Sequence, residues 1–484
     1  MKILNETTAE KRIRPVRVLQ FGEGNFLRAF ADWMIDIANE RGVTNTSVAI
    51  VPPRFKENDG TRTLRKQDGL YHVWLEGTEN NRPKTESRLI TCVADTLSPT
   101  SDFKKYENLI LSPELRFVVS NTTEAGIRYE CDDIMADTPA TFPGKVASLL
   151  YRRYRHFDGD TSKGLIFLCC ELIEDNGTKL REYVLRHAAD AALENGFAEW
   201  IDKACVFCDT LVDRIVPGFP HESIDNVKDA IGYDDNMVVK GELFHLWAIG
   251  GKGYETVRRE LPLDRAGLNV LFMPCIKTFR DKKVRILNGS HTALAAIGLL
   301  AGHKTVGEAY AHAPVQRFIN TMVQREVLTV LDGDSDALTR FAADILERFR
   351  NPYMRHMLGS IALNSLSKWE TRNFPTVRDV WCHGGYHAEF ELFGFAALLA
   401  LYAPRSGFTP DDDTLAIAKI NTIWNENHGD TDAIVRRITS GGIFAEDFEA
   451  AVPGFSEKAS QYLADIRSAG IVPALESFLR RHNV

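Results

Sequence analysis

The 484-residue chain has few cysteines, no long run of one charge and no long apolar stretch, and each shortage argues against a class of function. Eight cysteines in so long a chain are too sparse for a disulfide scaffold, and several stand in apolar segments where a thiol packs as a small hydrophobe. Cys205 and Cys208 form one CxxC pair, which without a second pair or nearby histidines reads as structural rather than zinc-binding. The 58 basic and 66 acidic residues give a net charge of -8, with no run of one sign able to follow a phosphate backbone, so no nucleic-acid partner is expected. The longest apolar stretches, such as 393–402, fall well short of the roughly 20 residues that cross a bilayer, and no membrane partner is expected either. Residues 1–14 are polar and mixed in charge, without the apolar core of a secretory signal, so the expected location is cytoplasmic. Internal repeats and low-complexity segments are also missing.

What is present is enough sequence for two domains, with an ordinary apolar fraction of 44%. The first third alternates short β-rich runs with helical stretches, the pattern of a parallel sheet with crossover helices. Strands are predicted at 16–21, 47–51 (SVAIV), 116–120 (RFVVS) and 165–170 (LIFLCC), and a helix over 25–39. Gly250, Gly251 and Gly253 interrupt this pattern. After about residue 280 the character becomes helical, with apolar residues at helical spacing over 293–301, 315–330, 336–349 and 391–402. The expected fold class is therefore an α/β Rossmann-type amino-terminal domain, 1–279, followed by a mainly α-helical carboxy-terminal domain, 280–484. Asp332, Asp334 and Asp336 resemble the start of a calcium loop, but Ala337 and Ala343 stand where glycine and a bidentate glutamate are needed, so they read as a helix-capping turn.

The segment VLQFGEGNFLRAFADWM places Gly22 and Gly24 directly after a strand and at the mouth of a helix. A helix amino terminus offers unpaired N–H groups to an anion, and glycines let the backbone approach a pyrophosphate closely. The fingerprint is incomplete, since Leu27 stands where a third glycine or alanine is expected. Arg28 falls in the first helical turn, where a cation is unfavourable unless an anion is near, and this points to phosphate. The second strand runs into Pro52, Pro53 and Arg54 with no carboxylate for the adenosine ribose, so Arg54 leaves a 2′-phosphate, and hence NADP, open beside NAD.

The stretch DKKVRILNGSHTALAA at 281–296 carries Lys283, Asn288 and His291 at offsets of five and eight. At about 100° per residue these lie within an arc of roughly 140°, so one surface can hold all three. A ketone reduced by hydride becomes an alkoxide and needs a proton donor, while the reverse oxidation needs a base at the same place, and a lysine serves both. Asn288 can offer its amide to the substrate oxygen or orient the lysine. Any such trio is more often surface charge, cap and core histidine than a catalytic set, so the spacing alone does not decide. Asp213 and Arg214 read from the residues alone as a structural ion pair on a helix.

Six segments taken together resemble the polyol-specific long-chain dehydrogenases, the mannitol dehydrogenase family, whose members act on polyols and sugar acids. They are FGEGNFLRAF at 21–30, QDGLY at 67–71, SNTTEAGI at 120–127, LVDRIVP at 211–217, KVRILNGSHTAL at 283–294 and RFRNPY at 348–353. The resemblance implies an NAD-dependent oxidoreductase without a catalytic metal. It implies that Lys283 is the general acid and base, that Asn288 and His291 complete the active site, and that Asp213 and Lys368 line the substrate pocket. Phe21, Gly22, Gly24, Asn25 and Phe26, with Asn121, Thr122, Thr123 and Glu124, are implied to hold the cofactor. Leu172 stands where many family members have an oxyanion-stabilising asparagine, and Ser360 where mannitol enzymes have an arginine. The oxyanion role then falls to Asn288 or backbone donors, and a sugar-acid ketone is expected rather than a plain polyol. A carboxylate on the substrate needs a cation, for which Lys368 and Arg372 are the candidates. The expectation is that the first domain binds the dinucleotide, the second supplies the catalytic side chains, and the substrate lies between them. A sister enzyme for another sugar acid or polyol is the nearest rival, and a non-catalytic dinucleotide sensor is the rival of another class.

Overall fold

The computed structural model describes residues 1–79, 82–122, 126–351, 355–383 and 387–484. They form two compact units, Met1–Ile276 and Lys277–Val484; the expected division at 279/280 falls inside the helix Lys277–Lys283. The fold class is as the sequence implies.

The first unit is built on an eight-stranded sheet. Its strands are β1 (Val16–Phe21), β2 (Ser47–Val51), β3 (Val93–Thr96), β4 (Phe117–Ser120), β5 (Ile166–Cys169), β6 (Val206–Asp213), β7 (Leu246–Gly250) and β8 (Val270–Met273). The spatial order is β3-β2-β1-β4-β5-β6-β7-β8, parallel throughout except that β7 runs antiparallel to β6. Alternate side chains feed two cores on opposite faces: Val18, Ile50, Val119 and Leu168 on one, Leu19, Val51, Val118 and Phe167 on the other. Both faces are buried, which is why these strands read as continuous apolar runs. The strand order reverses between β1 and β4, and in such a sheet a ligand binds beyond the carboxyl ends at that switch, here Phe21 and Ser120.

A second, three-stranded sheet pairs Tyr71–Glu79 with Arg82–Ile90 antiparallel and with Val239–Glu242 parallel. The apolar pattern did not predict it, because Arg82–Ile90 is largely exposed and rich in charge. Asp213 ends a strand, not a helix, and Arg214 is no ion-pair partner for it. The Arg214 guanidinium donates to the carbonyls of Ala29, Glu242, Leu243 and Phe244 and lies over the Trp33 ring.

The second unit is helical, with no strand among its described residues. Its centre is the helix Glu389–Leu401, buried at every position and apolar but for two ionisable residues, Glu389 and Glu391, and packed against Ser290–Leu300 and Phe455–Ala469. The expected helix over 315–330 is Ala313–Met322 followed by a widened π turn, Val323–Val327. That turn carries the buried Glu326, whose carboxylate accepts from the backbone N–H groups of Phe390 and Glu391 and so caps the central helix. Asp334 caps the helix Ser335–Phe349 through Ala337 N, the capping role the sequence suggested.

One buried side chain ties the carboxyl ends of the sheet together. Asn176 donates to the carbonyls of Cys169, Glu171 and Thr210 and accepts from Thr210 N at 2.9 Å. Replacing it with alanine leaves these groups unpaired, and we predict a loss of about 3 kcal/mol. This should appear as a lower urea midpoint of the first unit with unchanged far-ultraviolet circular dichroism; an unaltered midpoint would contradict it.

Candidate active site

In the first unit the chain leaves β1 through Gly22, whose φ of 132° belongs to glycine. A Cβ there would meet Leu27 Cδ1 at 3.2 Å and the Asn121 carbonyl at 3.3 Å, whereas a Cβ on Gly24 would meet nothing within 4 Å. The turn is therefore tight on its inner side and open at the helix mouth, the shape a pyrophosphate needs. The helix that follows, Asn25–Leu27, widens into a π turn at Arg28–Asp32 and continues as Trp33–Glu40.

Arg28 corrects one expectation. It is buried, donates to the carbonyls of Glu23 and Met237 and to Asn25 Oδ1, and stands over the Tyr71 ring, so it is no phosphate ligand. Beneath it Asp32 accepts from Tyr71 at 2.9 Å, and burial pushes its carboxyl up to about 7. Phe21 is fully buried with its ring edge-on to Phe142, Phe26 stacks on Phe30 at 4.9 Å, and Asn25 is exposed.

After β4, Asn121 donates to the Cys170 carbonyl at 3.0 Å. Glu171, which sequence reasoning overlooked, accepts from Ser120 Oγ, Thr122 N and Thr122 Oγ1 at 2.9–3.0 Å and fixes this loop. Burial raises its carboxyl above the usual range. Its place in the sequence, the lone acid of CELI at 170–173 just after an apolar strand, was the available signal. Thr123 and Glu124 lie outside the described residues. The neighbouring Leu172 is 62% exposed. A cavity of about 660 Å³ opens at the ends of β1, β2 and β4, lined in part by Glu23, Arg54, Lys56, Asn121 and Thr122. Its position at the strand-order reversal, with the open glycine turn beside it, fits a dinucleotide.

In the second unit the helical run from Lys277 to Leu300 contains a π turn at Val284–Gly289. This departs from the ideal α spacing assumed above. A turn that closes i to i+5 sets residues five apart over one another, so Lys283 and Asn288 align more closely than 100° steps allow. Such widened turns recur at functional sites. Lys283 and His291 are buried and Asn288 is half-buried. The Asn288 side chain makes no hydrogen bond with any described residue.

Gly289 brings a further element in. Its carbonyl accepts from the buried Asn373 Nδ2 at 3.1 Å, and Asn373 also donates to Glu391 on the central helix at 2.8 Å. A Cβ on Gly289 would stand 3.3 Å from Asn373 Nδ2 and 3.4 Å from the Arg372 carbonyl, so glycine permits the close approach of this segment. Lys368 lies one turn before Arg372 on the helix Ser365–Arg372, and its ammonium donates to the Ile361 carbonyl at 3.0 Å.

His291 gathers the group electrostatically. Its ring stacks on Phe349 at 4.4 Å and meets the His356 ring edge-on at 5.0 Å. Burial drives its pKa well below 6.5, and His356, Arg348, Arg372 and Lys283 push the same way. Its Nε2 is buried without a hydrogen-bond partner. His356 is itself held down to about 4 by burial and by Arg348. The structure thus joins Lys283, His291 and Arg372, which the sequence nominated, to Arg348 and His356, which it did not. Arg348 stood in the RFRNPY segment already quoted; His356 had no signal. His291 is thus a buried imidazole held neutral with Lys283, Arg348 and Arg372 near enough to act on its charge.

Residues 16–262 match the mannitol dehydrogenase Rossmann domain and residues 275–445 the mannitol dehydrogenase C-terminal domain. The chain belongs to the mannitol dehydrogenase family and is an oxidoreductase acting on CH–OH groups. Among its relatives, the altronate oxidoreductase of Bacillus subtilis (strain 168) is 42% identical over 466 residues, covering 96% of this chain and 95% of that one. The altronate oxidoreductase of Bacteroides thetaiotaomicron is 38% identical over 99% of this chain and all of its own length. In fold the chain is similar to a D-sorbitol dehydrogenase, with a TM-score of 0.81, 21% identity and coverage of 98% of this chain and 100% of that one. It is also similar to the mannitol 2-dehydrogenase of Pseudomonas fluorescens, with a TM-score of 0.75, 22% identity and coverage of 99% and 100%.

The depressed pKa of His356 has a consequence for stability. The unfolded chain takes up a proton near 6.5 while the folded site resists it down to about 4, so stability falls as pH drops through this window. Between pH 6.5 and 5 the protein should lose about 2 kcal/mol relative to a His356→Gln variant, measured by urea unfolding at each pH. Parallel curves for the two proteins would contradict the assignment.

Proposed function

We propose that this protein is an NAD-dependent tagaturonate reductase, which interconverts D-tagaturonate and D-altronate in hexuronate breakdown. The observation that carries the reading is the buried, neutral His291 of the second unit, on whose charge Lys283, Arg348 and Arg372 all act. A neutral polyol has no use for such a field; a keto acid carboxylate is stabilised by it. The relatives named altronate oxidoreductase support the same substrate class.

The first unit holds the dinucleotide through Gly22, Gly24 and Asn25 at the turn and through the segment from Asn121 to Glu124. When bound, the reduced nicotinamide supplies a hydride to the keto carbon. Lys283 then gives the proton that the developing alkoxide requires, and in the direction of oxidation its neutral amine takes that proton back. The open amide of Asn288 donates to the same oxygen, taking the place that Leu172 cannot fill. His291, neutral at working pH, can donate or accept one hydrogen bond with a substrate hydroxyl without adding charge. Arg372, Lys368 and Arg348 orient the carboxylate, and Asp213 binds a substrate hydroxyl. No metal takes part.

Lys283→Ala should lower kcat at least a hundredfold while leaving NADH affinity, measured by fluorescence titration, within about twofold. Unchanged turnover would exclude the lysine. Across a panel of tagaturonate, fructuronate and fructose, kcat/KM should be highest for tagaturonate and lowest for fructose. Arg372→Ala should raise KM for the two keto acids and leave that for fructose unchanged. Preference for fructose would refute the sugar-acid assignment. Tight NADH binding with no turnover on any of the three would instead favour a sensor.

A further inference from the structure

Residues 365–382 grip the widened turn of the second unit at both ends. Near the start of the π turn Val284–Gly289, Arg285 donates to Asp379 on the helix Phe374–Cys382 at 2.5 Å. At its end, the Gly289 carbonyl accepts from Asn373 Nδ2 at 3.1 Å. Asn373 stands where the helix Ser365–Arg372 ends and Phe374–Cys382 begins; its N–H donates to the Trp369 carbonyl, and its own carbonyl accepts from the N–H groups of Thr376 and Val377. The residue is fully buried, next in sequence to Phe374 of the aromatic core. A buried amide is unfavourable unless it is hydrogen-bonded, and an apolar side chain of similar size would fill the same space. What asparagine adds is its two donated bonds, to Gly289 and to Glu391 at 2.8 Å, while its Oδ1 is buried without a partner. A backbone carbonyl has two lone pairs, so Gly289 can take this side-chain donor without leaving the helix. Asn288 immediately precedes it, half-buried, with a side chain that makes no hydrogen bond with any described residue.

We propose that Asn373 is a positioning residue, whose bond to the Gly289 carbonyl sets the rotation of the π turn so that the Asn288 amide is aimed at the keto oxygen. The inference rests on the oxyanion role given to Asn288 above. Without a protein partner of its own, the Asn288 side chain takes its direction from the backbone that carries it. Asn373 bonds to that backbone one residue away, and Glu391 fixes the same amide from the central helix. Gly289 answers to the same contact. Its φ of -61° is open to any residue, yet a Cβ would stand 3.3 Å from Asn373 Nδ2 and 3.4 Å from the Arg372 carbonyl. Glycine weakens a helix interior, so its place here gives room for the approach rather than freedom to the backbone. A donor to a developing oxyanion acts only when it is held in place beforehand, and a shift of about 1 Å is enough to lose most of its effect.

Steady-state kinetics of tagaturonate reduction by the full-length protein test this. Asn288→Ala should lower kcat at least about thirtyfold. Asn373→Ala should lower it at least about tenfold, with KM for tagaturonate within about threefold and NADH affinity within about twofold of the wild type. In the Asn288→Ala background the same substitution should cost less than about threefold, because the amide it places is gone. Gly289→Ala removes no hydrogen-bonding group and adds a better helix former, so it should lower kcat as Asn373→Ala does while the far-ultraviolet circular dichroism stays unchanged. Two results would overturn the inference. One is unchanged kcat in Asn373→Ala, or in Gly289→Ala where Asn373→Ala does not fold. The other is an Asn373→Ala loss that recurs in full in the Asn288→Ala background. Either result with Asn288→Ala still impaired leaves the oxyanion reading intact. An Asn288→Ala variant with the wild-type kcat would remove that reading, and the inference with it.

Discussion

The hydrogen bond from Asn373 to the Gly289 carbonyl holds in register the helical face proposed to be catalytic. Gly289 closes the π turn that begins after Lys283, and a widened turn leaves a carbonyl that an ordinary helix would have satisfied differently. Asn373 supplies the missing donor, and its own position is fixed by Glu391 on the central, fully buried helix. Burial pushes the Glu391 carboxyl up to about 8, so at neutral pH it is largely protonated and costs the core little charge. One chain of contacts therefore runs from the hydrophobic centre of the unit to Lys283, Asn288 and Arg372. Strain at either end would be felt as misplacement of the reacting groups before it was felt as unfolding.

The first unit solves a different problem with similar means. A parallel sheet delivers loops to one edge, but loops alone do not hold a cofactor in place. Glu171 fixes the loop after β4 and Asn176 binds the ends of β5 and β6. Under the glycine turn, Arg28 reaches three acceptors at once. These side chains are polar and mostly buried, and each is satisfied by neighbouring protein groups rather than by solvent. The open positions are Gly24, where a Cβ would meet nothing within 4 Å, and Arg54, which lines the cavity.

The amino-terminal strands were legible because β1, β2, β4 and β5 are buried on both faces and carry uninterrupted apolar runs. The hairpin Tyr71–Glu79 and Arg82–Ile90 was not, since one of its strands is mostly exposed and its pairing is encoded in cross-strand contacts rather than in a run. Asp213 was placed on a helix because DTLVDRIVP gives helical and extended readings equally, and only the sheet decides between them. Lys283, Asn288 and His291 were visible as a motif, yet their alignment depends on a π turn that no residue pattern announces. Arg28 was misread for a physical reason: a lone cation in a first helical turn suggests an anion, but here nearby carbonyls and the Tyr71 ring take its charge. His356 could not have been found, because it reaches His291 only through tertiary packing.

The central claim is that the amine of Lys283 delivers the proton to the keto oxygen. Chemical rescue tests it most directly: the Lys283→Ala variant is assayed for tagaturonate reduction with added primary amines of increasing basicity. The account predicts that turnover returns in proportion to amine concentration, with a rate that varies with amine pKa and no effect of the same amines on the wild type. A variant that stays inactive at every amine concentration while it binds substrate and cofactor normally, or one that needs no amine, would contradict it.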